Sequence, residues 1–307
     1  MATGLYYFLF YLHTIFYKKI FLDILLILWY TLCNFVGGVF MEISWWKSII
    51  LGIIQGLAEF LPISSSGHLE LFEHILGVEE VPRLFDVCLH IGTLLAVFII
   101  FWKDIWSIIK QPKQKLTYMI IAATIPTVII AVLLEALLPD TFSSAFLGYG
   151  FMITGILLYT MELISKNYAK KNLDDISWKD ASLVGCVQGI ATISGISRSG
   201  STIAGGVFFG MDRKFLARFS FLMSIPAILG AFCWDVLKLI LKGNDSQVSI
   251  SWFSILLGMF AAFAVGFLAI KYMLHLIKNK SFKPFAIYTF ILGFLVCLDK
   301  FVTHIIF

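Results

Sequence analysis

Two short stretches hold most of the reactive side chains in an otherwise apolar chain. The first, QGLAEFLPISSSGH, brings Gln55, Glu59, Ser64, Ser65, Ser66 and His68 together. The second, SGISRSGST, surrounds Arg198 with Ser197, Ser199, Gly200, Ser201 and Thr202. A glycine- and serine-rich turn entering a helix presents free backbone N–H groups, and the helix dipole adds positive potential. Hydroxyls add donors and a guanidinium adds a bidentate clamp. That set fits a phosphate or diphosphate better than the plainer alternative, a helix break whose arginine reaches a headgroup. The first stretch supplies what the second lacks. Glu59 can bind a metal or polarise water, and His68 can move protons near neutral pH. The three serines offer a nucleophile or phosphate donors. A lone histidine in an apolar stretch is usually structural, but its place just after Ser-Ser-Ser-Gly favours chemistry. Gln55 and Glu59, at i and i+4, share one helix face. Gln55 is neutral, so it orients substrate or a metal-bound water and makes a poor base. Together these groups read as phosphoryl transfer on a lipid phosphate, working by positioning and charge stabilisation.

The elements that must position them are membrane helices. The chain is 60% hydrophobic, with 14% charged residues and 30 phenylalanines, against about 25% charged residues in a soluble domain. Apolar runs recur at the length that crosses a hydrocarbon core of about 30 Å. The fold class is therefore an all-α polytopic membrane protein embedded in the lipid bilayer. Six full spans are expected, at 84–103, 116–138, 143–164, 214–240, 252–276 and 284–306. The net charge of +4 gives no reason to expect nucleic acid and is better read loop by loop. Lys103, Lys110, Lys113 and Lys115 follow the first span, Lys166, Lys170 and Lys171 the third, and Lys278, Lys280 and Lys283 separate the last two. The loops at Pro139-Asp140 and 243–250 carry little positive charge, so the lysine loops are assigned to the cytoplasm and the C-terminus to the outside. Cys33, Cys88, Cys186, Cys233 and Cys297 lie in apolar context without a CxxC, and read as small hydrophobes.

The two reactive stretches are copies of each other. GIIQGLAEFLPISSSGH (52–68) aligns without a gap on GCVQGIATISGISRSGS (185–201), a shift of 133 residues (185 − 52). Gly52, Gln55, Gly56, Ala58, Ile63, Ser64, Ser66 and Gly67 recur as identical residues. Three spans separate the copies, so two segments that each dip in and return enter from opposite faces, in an inverted-topology repeat whose broken helices meet near the midplane. Such breaks are tolerated at depth only where protein or a wet cavity satisfies the backbone. The breaks at 59–68 and 192–202 should therefore face one pocket. Residues 1–40 are a hydrophobic extension, read as an extra helix, an uncleaved signal-like segment or a start set too early, ahead of Met41. Residues 41–307 read as one domain, with repeat one at about 47–138, repeat two at about 180–276 and a final span at 284–306.

At these motifs the sequence resembles the bacterial undecaprenyl-diphosphate phosphatase family, integral-membrane enzymes linked to bacitracin resistance. FDVCLHIGTLLAV (85–97), FSFLMSIPAILGA (219–231) and FKPFAIY (282–288) extend the resemblance through nearly all of 41–307. The resemblance implies hydrolysis of undecaprenyl diphosphate to the monophosphate, with a divalent cation such as Mg²⁺, in the bacterial cytoplasmic membrane. The pocket would open to the extracytoplasmic side, and the carrier would return to peptidoglycan synthesis. Carried over, Ser65 is the nucleophile, with His68 or direct attack by water as alternatives. Glu59 and His68 manage protons, water or metal, with Glu59 as the metal ligand. Arg198, Ser197, Ser199 and Thr202 hold the diphosphate, and Gln55, Ser64 and Ser66 also contact substrate. Two departures stand out. Ser194 replaces the family's usual proline, which leaves the entry to the phosphate loop less rigid. Gln55 stands where some members have glutamate, which argues against a two-carboxylate metal site unless Asp86 or a water substitutes. Asp86 and His90 are placed beside the pocket by the resemblance alone. Glu70, Glu73, Glu79 and Glu80 are read as a solvated or headgroup-facing edge.

A transporter is the main rival, because inverted repeats with broken helices serve transport too. It would need Arg198 but has less use for Glu59 and His68 together, and phosphate release separates the two. The other lipid-phosphatase superfamily wants a second histidine soon after Ser-Arg, and residues 199–211 contain none. The sequence leaves homo-oligomer formation, metal identity and lipid flipping open.

Overall fold

The structure is a computed structural model that describes residues 43–78, 83–164, 171–242 and 251–307. The 1–40 extension, Glu79 and Glu80, Lys166 and Lys170, and the 243–250 loop lie outside them. The described residues form α1 (Trp45–Phe60), α2 (Ser65–Ile75), α3 (Arg83–Ile100), α4 (Trp102–Lys110), α5 (Lys115–Leu137), α6 (Leu147–Ile164), α7 (Trp178–Ile190), α8 (Arg198–Phe208), α9 (Arg213–Lys242), α10 (Trp252–Asn279) and α11 (Lys283–Leu298). The chain is an all-α polytopic membrane protein. Among the described residues, five helical segments are long and apolar enough to cross a membrane: Lys115–Leu137, Ser144–Ile164, Arg213–Trp234, Trp252–Lys278 and Lys283–Thr303.

A sixth is counted only if α3 and α4 are one span, and the two are bent by 78°. The expected span at 84–103 is thus broken near its end, and part of its lysine loop is helical. The helix stops at Ile100, and Lys103 and Lys110 sit on a second, crosswise helix that starts at Trp102. The physical cause lies in α4 itself. Asp104 pairs with Arg218 of α9 and Ile105 is buried, which draws α4 against the protein and off the axis of α3.

The two reactive stretches break for local reasons. α1 has 16 residues, about 24 Å of helix, and α2 has 11, about 16 Å, so neither crosses alone. Pro62 ends α1, since the residue before a proline is pushed out of the α region, and Leu61 is extended (φ −75°, ψ 148°). α7 opens on a capping box in which Ser177 Oγ accepts from Asp180 N and the Asp180 carboxylate accepts from Ser177 N. Burial of that carboxylate opposes ionisation, but the bonds from Ser177 and from Lys171 outweigh it and hold its pKa below the usual value. Gly195, at φ +79°, makes the turn before α8.

The repeat is visible helix by helix. Shifted by 133 residues (198 − 65), Ser65–Ile75 lands on Arg198–Phe208, so α2 and α8 coincide end to end. Both start on the same device: Ser64 Oγ accepts from Gly67 N at 3.3 Å, and Ser197 Oγ accepts from Gly200 N at 3.1 Å. The packing repeats too. α1 lies on α10, where Gly52 meets the Gly258 carbonyl and Gly56 the Ala262 carbonyl. α7 lies on α5, where Gly185 meets the Ala123 carbonyl and Gly189 meets Ile130. Small residues let backbones approach this closely in apolar surroundings, where packing rather than hydrophobic burial drives association. Each copy's broken helix thus packs on a long span from the other half of the chain.

Candidate active site

Glu59 is the centre of the site. It sits in the last turn of α1, with its side chain 4% exposed. Its Oε2 accepts from Ser65 Oγ at 2.6 Å and from Gln55 Nε2 at 3.0 Å. Its Oε1 meets Arg198 Nη1 at 3.4 Å. His90 Nε2 lies 3.7 Å from Oε2, too far for a hydrogen bond. A buried carboxylate needs a matching charge and donors. Here Arg198, from the other break, supplies the charge, while Gln55 and Ser65 supply the donors.

Ser65 and Arg198 are the first residues of α2 and α8, so both stand where orphan N–H groups and the dipole favour an anion. Ser64, just before, has φ 73°, a sparsely populated conformation for a residue with a side chain. It is held there by His68, whose Nδ1 donates to the Ser64 carbonyl at 2.7 Å.

The site opens into a cavity of about 170 Å³. Asp86, His90 and Arg198 line one side, and Ile228, Ala231 and Phe232 of α9 form an apolar wall. Arg198 is 30% exposed and His90 23%, so both reach the cavity while Glu59 lies behind them. His90 Nδ1 donates to the Asp86 carbonyl at 2.8 Å, which leaves Nε2 facing Glu59. Sequence reasoning placed Asp86 and His90 only by resemblance. Their own signal was present: two ionisable residues at i and i+4 inside an apolar span mark a functional face.

The structure gathers Gln55, Glu59, Ser65 and Arg198, and it uses several other expected residues differently. His68 is buried at 4% exposure, with Nε2 bonded to Tyr288 Oη at 2.7 Å and its ring packed between Phe151 and Tyr288. Both ring nitrogens are engaged, and neither bonds Glu59 or Arg198. Of the hydroxyls expected to hold substrate, Ser64 and Ser197 cap their helices. Ser199 Oγ donates to the Leu61 carbonyl at 3.3 Å, tying one break to the other. Thr202 is fully buried, donates to the Arg198 carbonyl at 2.9 Å and pairs with Ser220 Oγ at 2.6 Å. Ser66 alone of this group is exposed. The reason is common to the buried ones: a broken helix in apolar surroundings must satisfy its backbone, and nearby hydroxyls are used for that first.

Two further residues, Ser194 and Glu70, bond each other across the two stretches. Ser194 is tied into its loop. Its N–H donates to the Thr141 carbonyl at 3.2 Å and its Oγ to Glu70 Oε2 at 2.8 Å, while Thr154 Oγ1 accepts from Ser197 N at 2.9 Å. Glu70 is correspondingly no free headgroup-facing acid, because it reaches the second break.

The donor set can be tested against a divalent cation. Among the described residues no group of three or more His, Cys, Asp or Glu side chains could hold a metal. Mg²⁺ usually takes only one or two protein carboxylates, with water and substrate phosphate completing its shell. Gln55 Oε1 is buried and has no hydrogen-bond partner beside Glu59. One carboxylate and one orphaned amide oxygen on a single helix face fit such a lightly held ion.

Comparison with known proteins agrees with this geometry. The chain is 44% identical over 261 residues to an undecaprenyl-diphosphatase of Halothermothrix orenii, covering 84% of this chain and 98% of that one. It is 42% identical over 248 residues to an undecaprenyl-diphosphatase of Carboxydothermus hydrogenoformans (80% and 94%). With undecaprenyl-diphosphatase 4 of Bacillus cereus it shares 40% over 259 residues (84% and 98%). Residues 48–295 match the family described as bacitracin resistance protein BacA, and the chain belongs to that family.

Proposed function

We propose that the chain is an undecaprenyl-diphosphate phosphatase of the bacterial cytoplasmic membrane. It hydrolyses undecaprenyl diphosphate to undecaprenyl phosphate and inorganic phosphate, returning the carrier to peptidoglycan synthesis and giving bacitracin resistance. The observation that carries this reading is the convergence of Ser65 and Arg198 on the two oxygens of Glu59. Relatives carrying that activity in their names, matched over nearly their whole length, support the substrate.

The mechanism follows from the contacts. Ser65 Oγ–H already donates to Glu59, so Glu59 is the base for Ser65. Oγ forms a bond to the terminal phosphorus, the bridging P–O bond breaks, and undecaprenyl phosphate leaves with the bridging oxygen. The Ser65 proton passes to Glu59. Water then attacks the phosphoserine, the Oγ–P bond breaks, and Glu59 returns its proton to Oγ as phosphate departs. Arg198 turns from Glu59 to the phosphoryl oxygens, where charge develops. The N-termini of α2 and α8 add positive potential. Gln55 keeps Glu59 aimed at Ser65, and Ser66, exposed beside Ser65, is a substrate contact. His68 acts as a positioning residue, holding Ser64 and therefore Ser65 in place. A divalent cation would be held by Glu59 and Gln55 Oε1 and would neutralise diphosphate charge.

The finer architecture belongs to the same proposal. The repeats have inverted topology, with α1–α2 and α7–α8 as re-entrant pairs, within one domain spanning 41–307. Support comes from the matched ends of α2 and α8, and from the exchange in which α1 packs on α10 and α7 on α5. The site opens to the extracytoplasmic side, opposite the lysine-rich ends of the helices.

The test is phosphate release from undecaprenyl diphosphate by the purified chain in detergent, with Mg²⁺ and with EDTA, for wild type, Glu59→Ala and Arg198→Ala. Cation-dependent release lost in both variants is expected. No release by well-folded wild type would overturn the enzyme reading in favour of lipid transport.

A further inference from the structure

Helix α4, WKDIWSIIK, plays no part in the phosphatase site, yet its surface is sorted into three faces. At about 100° per residue, Asp104, Ile105 and Ile108 share the side toward the protein. Ile105 is buried, Ile108 is half-buried, and Asp104 is bound to Arg218 of α9. Trp102, Trp106 and Ile109 form a second, adjacent face, exposed at 54%, 43% and 58%. Lys103, Ser107 and Lys110 form the third face, and all three are exposed. Lys113 follows, also exposed, and Lys110 Nζ lies 5.3 Å from the Trp106 ring centroid. The two tryptophan rings stack on each other at 5.5 Å.

This sorting matches a lipid–water boundary. A span continued straight would need apolar residues all round. A helix on a water-soluble surface would not present two tryptophans and an isoleucine outward. A helix bent by 78° off α3 runs crosswise to it, so its apolar face can enter the acyl boundary while its lysines meet headgroups. The lysines select the charge of those headgroups, because a basic cluster beside a membrane attracts anionic lipid.

We propose that α4 is an interfacial helix that binds anionic phospholipid through Lys103, Lys110 and Lys113. The proposal rests on the membrane reading of the fold and is independent of the phosphatase activity. Lys115 is excluded, since its Nζ is committed to the Asp174 carbonyl at 2.7 Å.

The test uses the full chain in nanodiscs of equal phosphatidylglycerol and phosphatidylcholine, with retained lipids counted by native mass spectrometry. Wild type is expected to retain phosphatidylglycerol preferentially. K103Q/K110Q/K113Q is expected to lower that preference at least about fivefold, with melting and phosphate release unchanged. A control, K278Q/K280Q/K283Q, removes the same charge elsewhere and should change the preference less. Unchanged preference in the α4 variant, absence of preference in wild type, or equal loss in the control would each overturn the assignment.

Discussion

Ser65 and Arg198 occupy the same position in the two halves of the chain, and they hold opposite oxygens of one carboxylate. Each is the first residue of its helix, after a serine that caps the same N–H. Ser65 Oγ donates to Glu59 Oε2 at 2.6 Å, and Arg198 Nη1 lies 3.4 Å from Oε1. Two helix N-termini thus meet at one carboxylate, and in the proposed mechanism one carries the nucleophile and the other the clamp. The position equivalent to Glu59 is Thr192, so only one copy carries the carboxylate proposed as the base.

Arg198→Lys tests the clamp without removing charge. Lysine cannot present two parallel N–H donors, so we expect kcat to fall by about 10²-fold with smaller change in KM. Arg198→Ala should add a loss of stability of about 3 kcal/mol, because Glu59 is left buried without its counter-charge. Steady-state kinetics and denaturant melts of the two variants separate the effects. Equal kcat in Arg198→Lys and wild type would count against the clamp.

His68 should behave as a structural residue acting through Ser64. His68→Gln and Tyr288→Phe both break the 2.7 Å contact, and both should lower the melting temperature. Each should keep measurable turnover, with an unaltered shape of the pH–rate profile. A profile that loses one limb in His68→Gln alone would return the proton-carrying role to this residue.

Ser194→Pro restores the residue usual in the family motif but removes two hydrogen bonds, from Ser194 N to Thr141 and from Oγ to Glu70. At about 1 kcal/mol each, less the rigidity gained from the ring, the net loss should be about 1 kcal/mol. Ser194→Ala keeps the N–H and should lose less. A stabilised Ser194→Pro would mean that the bonds contribute little.

Gly150→Ala should be more damaging than its size suggests. A Cβ there would meet the Ser194 carbonyl and come within 2.8 Å of Gly195 Cα, backbone that leads directly to Arg198. Overpacking of this kind costs about 1–3 kcal/mol, and the displaced loop should lower kcat as well. Gly230→Ala, where nothing lies within 4 Å of the added carbon, is the matched control for both readouts.

Much of this was legible in the residues. The membrane class came from composition, and the two broken segments came from a repeat that matched glutamine, glycine and serine in register. Glu59, Ser65 and Arg198 stood out as polar chemistry at apolar depth. The contact that engages His68 was not legible, because its partner Tyr288 lies 220 residues away and no local pattern announces it. The burial of Ser197, Ser199 and Thr202 was hidden for a related reason. A serine-rich turn looks the same whether its hydroxyls serve a ligand or its own helix start. The bend after α3 was missed because its cause, the Asp104–Arg218 pair, is a tertiary contact laid over an apolar run long enough to span.

The most direct measurement is rapid quench of the enzyme with undecaprenyl diphosphate radiolabelled in its terminal phosphate, followed by peptide mapping. We expect label on the peptide carrying Ser65 within the first turnover, none in Ser65→Ala or Glu59→Gln, and turnover lowered by about 10³-fold or more in both. Phosphate release by Ser65→Ala at the wild-type rate, with no labelled protein at any time, would contradict the account and assign the attack to water.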